Sequence, residues 1–225
     1  PPFFIPHYRH SPILSGLVVS EMCIRDSYAI PHAYAAYMAK KILDENGYKI
    51  PIVTTLHGTD ITLVGNHPFY KPAVTFSINK SDFVTCVSNS LRDDTREFFG
   101  IKREIEVIPN FVDIEKYGKK HLLCERNMIA QGDEKIIVHI SNFRPLKRII
   151  DVLKIFSRIS KKINSKLIMV GDGPDKKKAK DFLRKNDLKN KVIFLGKTNE
   201  VDEILCSSDL FLLPSEKESF GLAAL

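Results

Sequence analysis

Two basic side chains, Arg144 and Lys147, stand between an apolar run that ends at Ile140 and an amphipathic stretch that begins at Arg148. A guanidinium forks two anionic oxygens and an ammonium adds a point charge. With the open N–H groups of a helix start, they suit a diphosphate. The plain alternative is a basic helix start that pairs with surface acids. Positive charge at a helix N-terminus opposes the dipole, so Arg144, Lys147 and Arg148 together ask for a compensating anion. That favours a bound one. Glu218-Ser219-Phe220-Gly221 follows a second apolar run. If it opens a helix, the amides of Ser219 to Gly221 could face a sugar or phosphate and Glu218 could accept from sugar hydroxyls. A plain cap with a solvated Glu explains that motif equally well. Gly171-Asp172-Gly173-Pro174 is a tight turn that could let the backbone approach a nucleotide, although many strand-to-helix turns are built this way. His57, in His57-Gly58-Thr59-Asp60, reads by itself as a packed core histidine.

Each group has to be held by a strand end, and the chain supplies the strands. Ile50–Leu56, Asp82–Val87, Glu104–Ile108, Lys135–Ile140, Lys166–Val170, Val192–Leu195 and Leu210–Leu213 are short apolar runs. Helical stretches separate them: Ala33–Leu43, Phe69–Lys80, Ser90–Phe99 with Ser90 as N-cap and Gly100 past the end, Arg148–Ile163, and about 175–187 and 199–207. The stripe Ile149, Val152, Leu153, Phe156, Ile159 makes Arg148–Ile163 amphipathic. Strands alternating with helices imply parallel sheets covered on both faces, with ligands at the carboxyl ends of the strands. The expected fold class is α/β, with two Rossmann-like domains. The expected organisation is an irregular or non-native leader over 1–27, a partial N-terminal domain over 28–115, a connecting segment over 116–134, with a helix near 120–130, and a partial C-terminal domain over 135–225. Residues 1–27 follow no period. Ser20-Glu21-Met22-Cys23-Ile24-Arg25-Asp26-Ser27 resembles a translated sequencing-adapter remnant.

Composition removes several classes. No apolar run approaches the ~20 residues that span a bilayer. No secretory leader is visible at the start. Cys23, Cys86, Cys124 and Cys206 are far apart and form no Cys-x-x-Cys, so neither a disulfide framework nor a cysteine metal site is expected, and the pattern fits a reducing cytoplasm. The net charge of +7 could serve nucleic acid. However, Lys161, Lys162, Lys176, Lys177, Lys178 and Lys180 fall on expected helix surfaces with Asp175 and Asp181 among them and lack interleaved aromatics, so they read as a solvated surface. No Asp-x-Asp pair is present, and no other spacing suits a metal. No G-x-G-x-x-G or Walker loop occurs either.

Taken together, the strands, the Gly-Asp-Gly-Pro turn and Glu218-Ser219-Phe220-Gly221 resemble the retaining glycosyltransferases of family 4, which have the two-Rossmann GT-B fold. In that family a Glu is followed eight positions on by a second Glu. Glu218 matches the first, and the second falls at position 226. The likeness is closest to the branch that starts bacillithiol synthesis. It rests on the runs Tyr28–Tyr37, Thr54–Thr62, His139–Arg144 and Ser215–Gly221 and covers roughly 28–225. The branch has a His before the Tyr, where this chain has Ser27.

The resemblance implies transfer of GlcNAc from UDP-GlcNAc to the hydroxyl of L-malate, with retention and without a metal, cofactor or covalent protein intermediate. Catalysis would fall to His57, Arg144, Lys147 and Glu218. The donor would be held by Asn142, Arg144, Lys147, Gly171, Gly173, Glu218, Ser219, Phe220, Gly221 and Leu222, and the acceptor by Tyr28, Thr55, Asn110 and Arg144. The expected partners are these two small substrates, with no nucleic acid and no membrane, in the cytoplasm. A homo-oligomer of the full-length protein stays open. With both domains incomplete, little activity is expected of this chain by itself. The alternatives are another family 4 hexosyltransferase with a different acceptor, a nicotinamide-dependent Rossmann oxidoreductase, and a basic nucleic-acid-binding protein.

Overall fold

The computed structural model describes residues 17–19, 23–65, 67–113 and 126–225. The chain divides into two compact units, Pro1–Asn110 and Phe111–Leu225.

The first unit runs β1 (Leu17–Val19), β2 (Ile24–Ser27), a wide turn over Ala29–Ala33, α1 (Tyr34–Glu45), β3 (Ile52–Leu56), a second wide turn over Thr59–Val64, α2 (Lys71–Lys80), β4 (Phe83–Cys86), α3 (Asn89–Phe99) and β5 (Glu106–Val107). The sheet order is β1-β2-β3-β4-β5. β1 is antiparallel to β2, and the other pairs are parallel. Two strands therefore precede Tyr28, inside the segment expected to be irregular. Ile24 and Asp26 face inward and Arg25 outward. A carboxyl at an inward position hides the alternation that would otherwise mark β2. Ile24, Ala36 and Ile52 form a small core with Leu43 and Ile50 packed on it. The cap of α3 is Ser88, not Ser90. Ser88 is extended and its hydroxyl accepts from the Leu91 N–H at 3.2 Å, a bond worth roughly 1 kcal/mol. Gly100 closes the helix in the left-handed region at φ 62°.

The second unit runs α4 (Arg126–Ile129), β6 (Lys135–Ile140), a 3₁₀ turn over Pro145–Lys147, α5 (Ile149–Ile159), β7 (Ser165–Val170), α6 (Lys176–Lys185), β8 (Val192–Gly196), α7 (Val201–Cys206) and β9 (Leu210–Phe211). Of the helix expected near 120–130, only α4 lies in the described residues. The sheet is parallel throughout, in the order β8-β7-β6-β9. Alternate residues of each strand feed two cores. Ile137, Leu167 and Met169 pack with Ile149, Val152, Leu153 and Phe156 of α5 and Ala179 and Leu183 of α6. Ile136, Val138, Ile168 and Val170 pack with Ala130 and with Ile204 of α7. Each fully buried Ile, Leu or Phe contributes about 1.5–3 kcal/mol, and burial on both faces is why these strands read as continuous apolar runs.

Two expectations fail in this unit. No helix begins at Glu218. Residues 218–220 are irregular, and a turn closed by the Ala224 N–H on the Gly221 carbonyl at 2.8 Å follows them. Cys206 is disulfide-bonded, which spacing along the chain could not reveal because a disulfide depends on proximity in space. Cys86 is buried and not in a disulfide.

Candidate active site

In the second unit the strand order reverses between β6 and β9, which leave in opposite directions from the centre of the sheet. The crevice at such a switch point, at the carboxyl ends of the strands, is where open α/β sheets bind ligands. Ser141–Arg148 leaves β6 there, and the segment reaching Glu218 leaves β9. The two segments are tied together. The Glu216 N–H donates to the Leu146 carbonyl at 2.9 Å. Lys147 Nζ donates to Glu218 Oε1 at 2.5 Å, both groups being half-buried. Arg148 pairs with Asp151 at 2.6 Å and lies 3.7 Å from Glu216. Its charge is thus compensated inside the protein, and those acids hold its pKa up. Among the described residues, Arg144 makes no ion pair, and it is exposed at the start of the 3₁₀ turn.

The Gly-Asp-Gly-Pro turn supports this loop from below. A Cβ on Gly171 would lie 1.8 Å from the Ser141 carbonyl oxygen, and one on Gly173 would lie 2.1 Å from that of Asn142. Their φ values of 120° and 157° are ones that L side chains rarely adopt. The glycines therefore let the β6 loop pass. The Gly173 N–H is already taken by Asp172 Oδ1 at 2.8 Å, and Asp172 also accepts from Lys176 at 2.9 Å. That ammonium holds the Asp172 carboxyl below the usual range. Phe143 inserts behind the loop and is fully buried, and the Asp175 N–H donates to its carbonyl at 3.0 Å.

In the first unit a second group gathers at the carboxyl ends of β2 and β3. The Tyr28 N–H donates to the Thr55 carbonyl at 2.9 Å, and the Tyr28 and His57 rings are 5.1 Å apart. Asp60, 2% exposed, accepts from the Ala29 and Gly58 N–H groups, each at 2.9 Å, and so fixes both turns. Burial raises the Asp60 pKa, opposed by these bonds. Burial lowers that of His57, opposed by the Asp60 charge, so His57 is biased towards the neutral imidazole. Thr55 Oγ1 accepts from Thr85 Oγ1 at 2.9 Å. No group of three or more His, Cys, Asp or Glu side chains able to hold a metal occurs among the described residues. No helix among them is long and apolar enough to cross a membrane.

Two family models match this frame: "Glycosyltransferase Family 4" over residues 24–116 and "Glycosyl transferases group 1" over 125–225. The chain belongs to the family 4 glycosyltransferases. It is 44% identical over 199 residues to N-acetyl-alpha-D-glucosaminyl L-malate synthase of Bacillus anthracis, covering 88% of this chain and 51% of that one. Two solved GT-B structures share the fold. Anabaena HepE in complex with UDP and glucose aligns with TM-score 0.71 and 19% identity over 83% of this chain and 51% of its own. Sucrose-phosphate synthase from Thermosynechococcus elongatus aligns with TM-score 0.70 and 16% identity over 89% and 52%. The chain spans about half the length of these relatives.

The structure brings some of the sequence-expected residues together and leaves others apart. In one unit the structure brings together Asn142, Arg144, Lys147, Gly171, Gly173 and the segment of Glu218, Ser219, Phe220, Gly221 and Leu222. In the other it brings together Tyr28, Thr55 and His57. Asn110 stands apart from these, after β5 and two strands away from β3. Asp60 and His139 were missed. A carboxylate in a Gly-Thr-Asp turn and a histidine inside an apolar strand were the available signals.

Proposed function

We propose that the full-length enzyme containing this chain is a retaining, metal-independent hexosyltransferase that moves GlcNAc from UDP-GlcNAc to the hydroxyl of L-malate, the first step of bacillithiol synthesis. The observation that carries the donor half is the meeting of Lys147 and Glu218 at the β6/β9 switch point with Arg144 beside them. Three cations there would call for an anion, and among the described residues acids pair with Lys147 and Arg148 but not with Arg144. A diphosphate between Arg144 and Lys147 completes the set. Lys147 then shares its charge between the leaving diphosphate and Glu218, and Glu218 is free to accept from sugar hydroxyls. The identity of the acceptor is supported by the malate synthase relative alone.

In such a reaction the anomeric carbon–oxygen bond to the diphosphate breaks while the malate oxygen attacks from the same face. The acceptor hydroxyl proton passes to the departing phosphate oxygen. The protein's work is orientation and charge neutralisation. Arg144 and Lys147 stabilise the developing negative charge. In the first unit a neutral His57 is a hydrogen-bond partner for substrate, and Tyr28 and Thr55 beside it bind the malate.

The experiment is an acceptor screen of the full-length enzyme with UDP-GlcNAc, read as UDP release. Release with L-malate and not with glycerol-type or lipid acceptors is the expected result. Release only with another acceptor leaves a family 4 hexosyltransferase of different specificity, and binding of NAD without UDP overturns the reading.

A further inference from the structure

His139 lies in β6, an interior strand of the second sheet, and is fully buried against Phe143, yet neither ring nitrogen lacks a partner. Nδ1 is 2.8 Å from the Leu212 carbonyl oxygen, and Nε2 is 2.8 Å from Ser141 Oγ. A carbonyl only accepts, so Nδ1 carries the proton and, in the neutral ring, Nε2 accepts from the Ser141 hydroxyl. Burial and the nearby Lys147 charge both lower the pKa of His139, which agrees with the neutral form. Ser141 Oγ in turn accepts from the Phe143 N–H at 3.3 Å, and the imidazole lies nearly parallel to the Phe143 ring at 6.3 Å.

Each end of this bridge leads to a different half of the donor site. Ser141 begins the loop that carries Asn142, Arg144 and Lys147. Leu212 begins the segment that carries Glu218. That segment is otherwise anchored to the sheet through the two-residue β9, the Leu212 N–H on the Val138 carbonyl at 2.8 Å, and Glu216 on Leu146. We infer that His139, through Ser141 and Leu212, is a positioning residue that sets the cation loop and the Glu218 segment at the spacing a nucleotide-sugar diphosphate needs. The inference rests on the donor reading above. It requires no contact between His139 and the ligand, because a buried, doubly bonded imidazole transmits position by rigidity.

The test uses the full-length enzyme and UDP as probe, with Kd by calorimetry and KM for UDP-GlcNAc by UDP release. Ser141→Ala cuts the bridge on the loop side with little effect on the core, and His139→Phe keeps the ring volume without either bond. Each should weaken UDP about tenfold and raise KM more than it lowers kcat. Because both remove one bridge, the double variant should be no weaker than His139→Phe by itself. A role confined to folding would lower the melting temperature and leave UDP affinity of the folded protein unchanged. Kd within twofold of wild type in both single variants, or strictly additive losses in the double, overturns the inference while the donor reading stands. If His139→Phe does not fold, Ser141→Ala decides by the same criterion. A wild-type enzyme that does not bind UDP overturns both.

Discussion

Replacing Asp26 by Asn should make the first unit more stable at neutral pH and change it little in acid. Asp26 is 2% exposed on the inward side of β2, and its Oδ1 is buried with no hydrogen-bond partner among the described residues. Burial is the main reason its pKa rises from 3.8 to about 7, with the Asp60 charge adding to it and the Thr54 bond opposing it. The hydrogen-bond chain supports the neutral form independently. Thr54 Oγ1 lies 2.9 Å from Asp26 Oδ2 and 2.6 Å from Ser81 Oγ, which reaches the Ser77 carbonyl at 2.9 Å. Each hydroxyl has one proton. If Asp26 is ionised, Thr54 must donate to it, and Ser81 cannot serve both Thr54 and Ser77. If Asp26 is protonated, every proton points the same way and every acceptor is served.

A folded-state pKa above the unfolded one means the folded protein holds a proton that the unfolded chain releases. The group's stabilisation is present in full below pH 3.8 and is lost as pH rises to about 7. A shift of about three units at 1.36 kcal/mol each sets an upper bound near 4 kcal/mol, so about 2–4 kcal/mol is expected. Asn donates to Thr54 as the protonated acid does and cannot ionise. The assay is urea unfolding between pH 4.5 and 8, followed by tyrosine fluorescence. The chain has no Trp, and all its tyrosines but Tyr117 lie in the first unit. The stability difference between Asp26→Asn and wild type should widen by about 1.4 kcal/mol per pH unit near pH 5–6.5 and level off above pH 7. A difference that stays the same from pH 5 to pH 8 would refute the reasoning.

Three other outcomes are expected. Arg144→Ala in the full-length enzyme should abolish turnover while circular dichroism and melting stay close to wild type, since the side chain is exposed and makes no ion pair among the described residues; near-normal turnover sinks the diphosphate assignment. Gly171→Ala should destabilise the second unit by at least about 2 kcal/mol, seen as a lower urea midpoint, because its Cβ would meet the Ser141 carbonyl at 1.8 Å. Unchanged stability would mean that the β6 loop is not packed as described. If Arg144 and Lys147 carry the charge of the leaving diphosphate as proposed, EDTA should leave the rate of UDP release in the full-length enzyme unchanged; loss of activity restored by a divalent cation would contradict the proposed metal-free mechanism.

Much of the second unit is legible because its central strands β6 and β7 are buried on both faces. Lys135–Ile140 was read to the residue, and the stripe Ile149, Val152, Leu153, Phe156 became the buried face of α5. Where burial was less uniform the reading slipped. Asp26 hid β2, a second serine drew the α3 cap two residues too far, and a motif expected to open a helix at Glu218 is irregular. The disulfide at Cys206 had no local signal at all.

The order of residue types determined the alternation of strands and helices, hence the parallel sheets and the strand ends at which chemistry had to be sought. Period and propensity are local properties, and a strand end is a local feature. Tertiary structure decided which ends meet. Lys147 and Glu218 are 71 residues apart in sequence and form an ion pair because β9 lies next to β6. It also decided the charge states. Arg148 stays charged and is paired with Asp151 and Glu216, Arg144 has no ion pair among the described residues, and His139 is biased towards the neutral form by burial between a carbonyl and a hydroxyl. Solvation and Coulomb forces depend on distance through space, and no pattern along the chain encodes that distance directly.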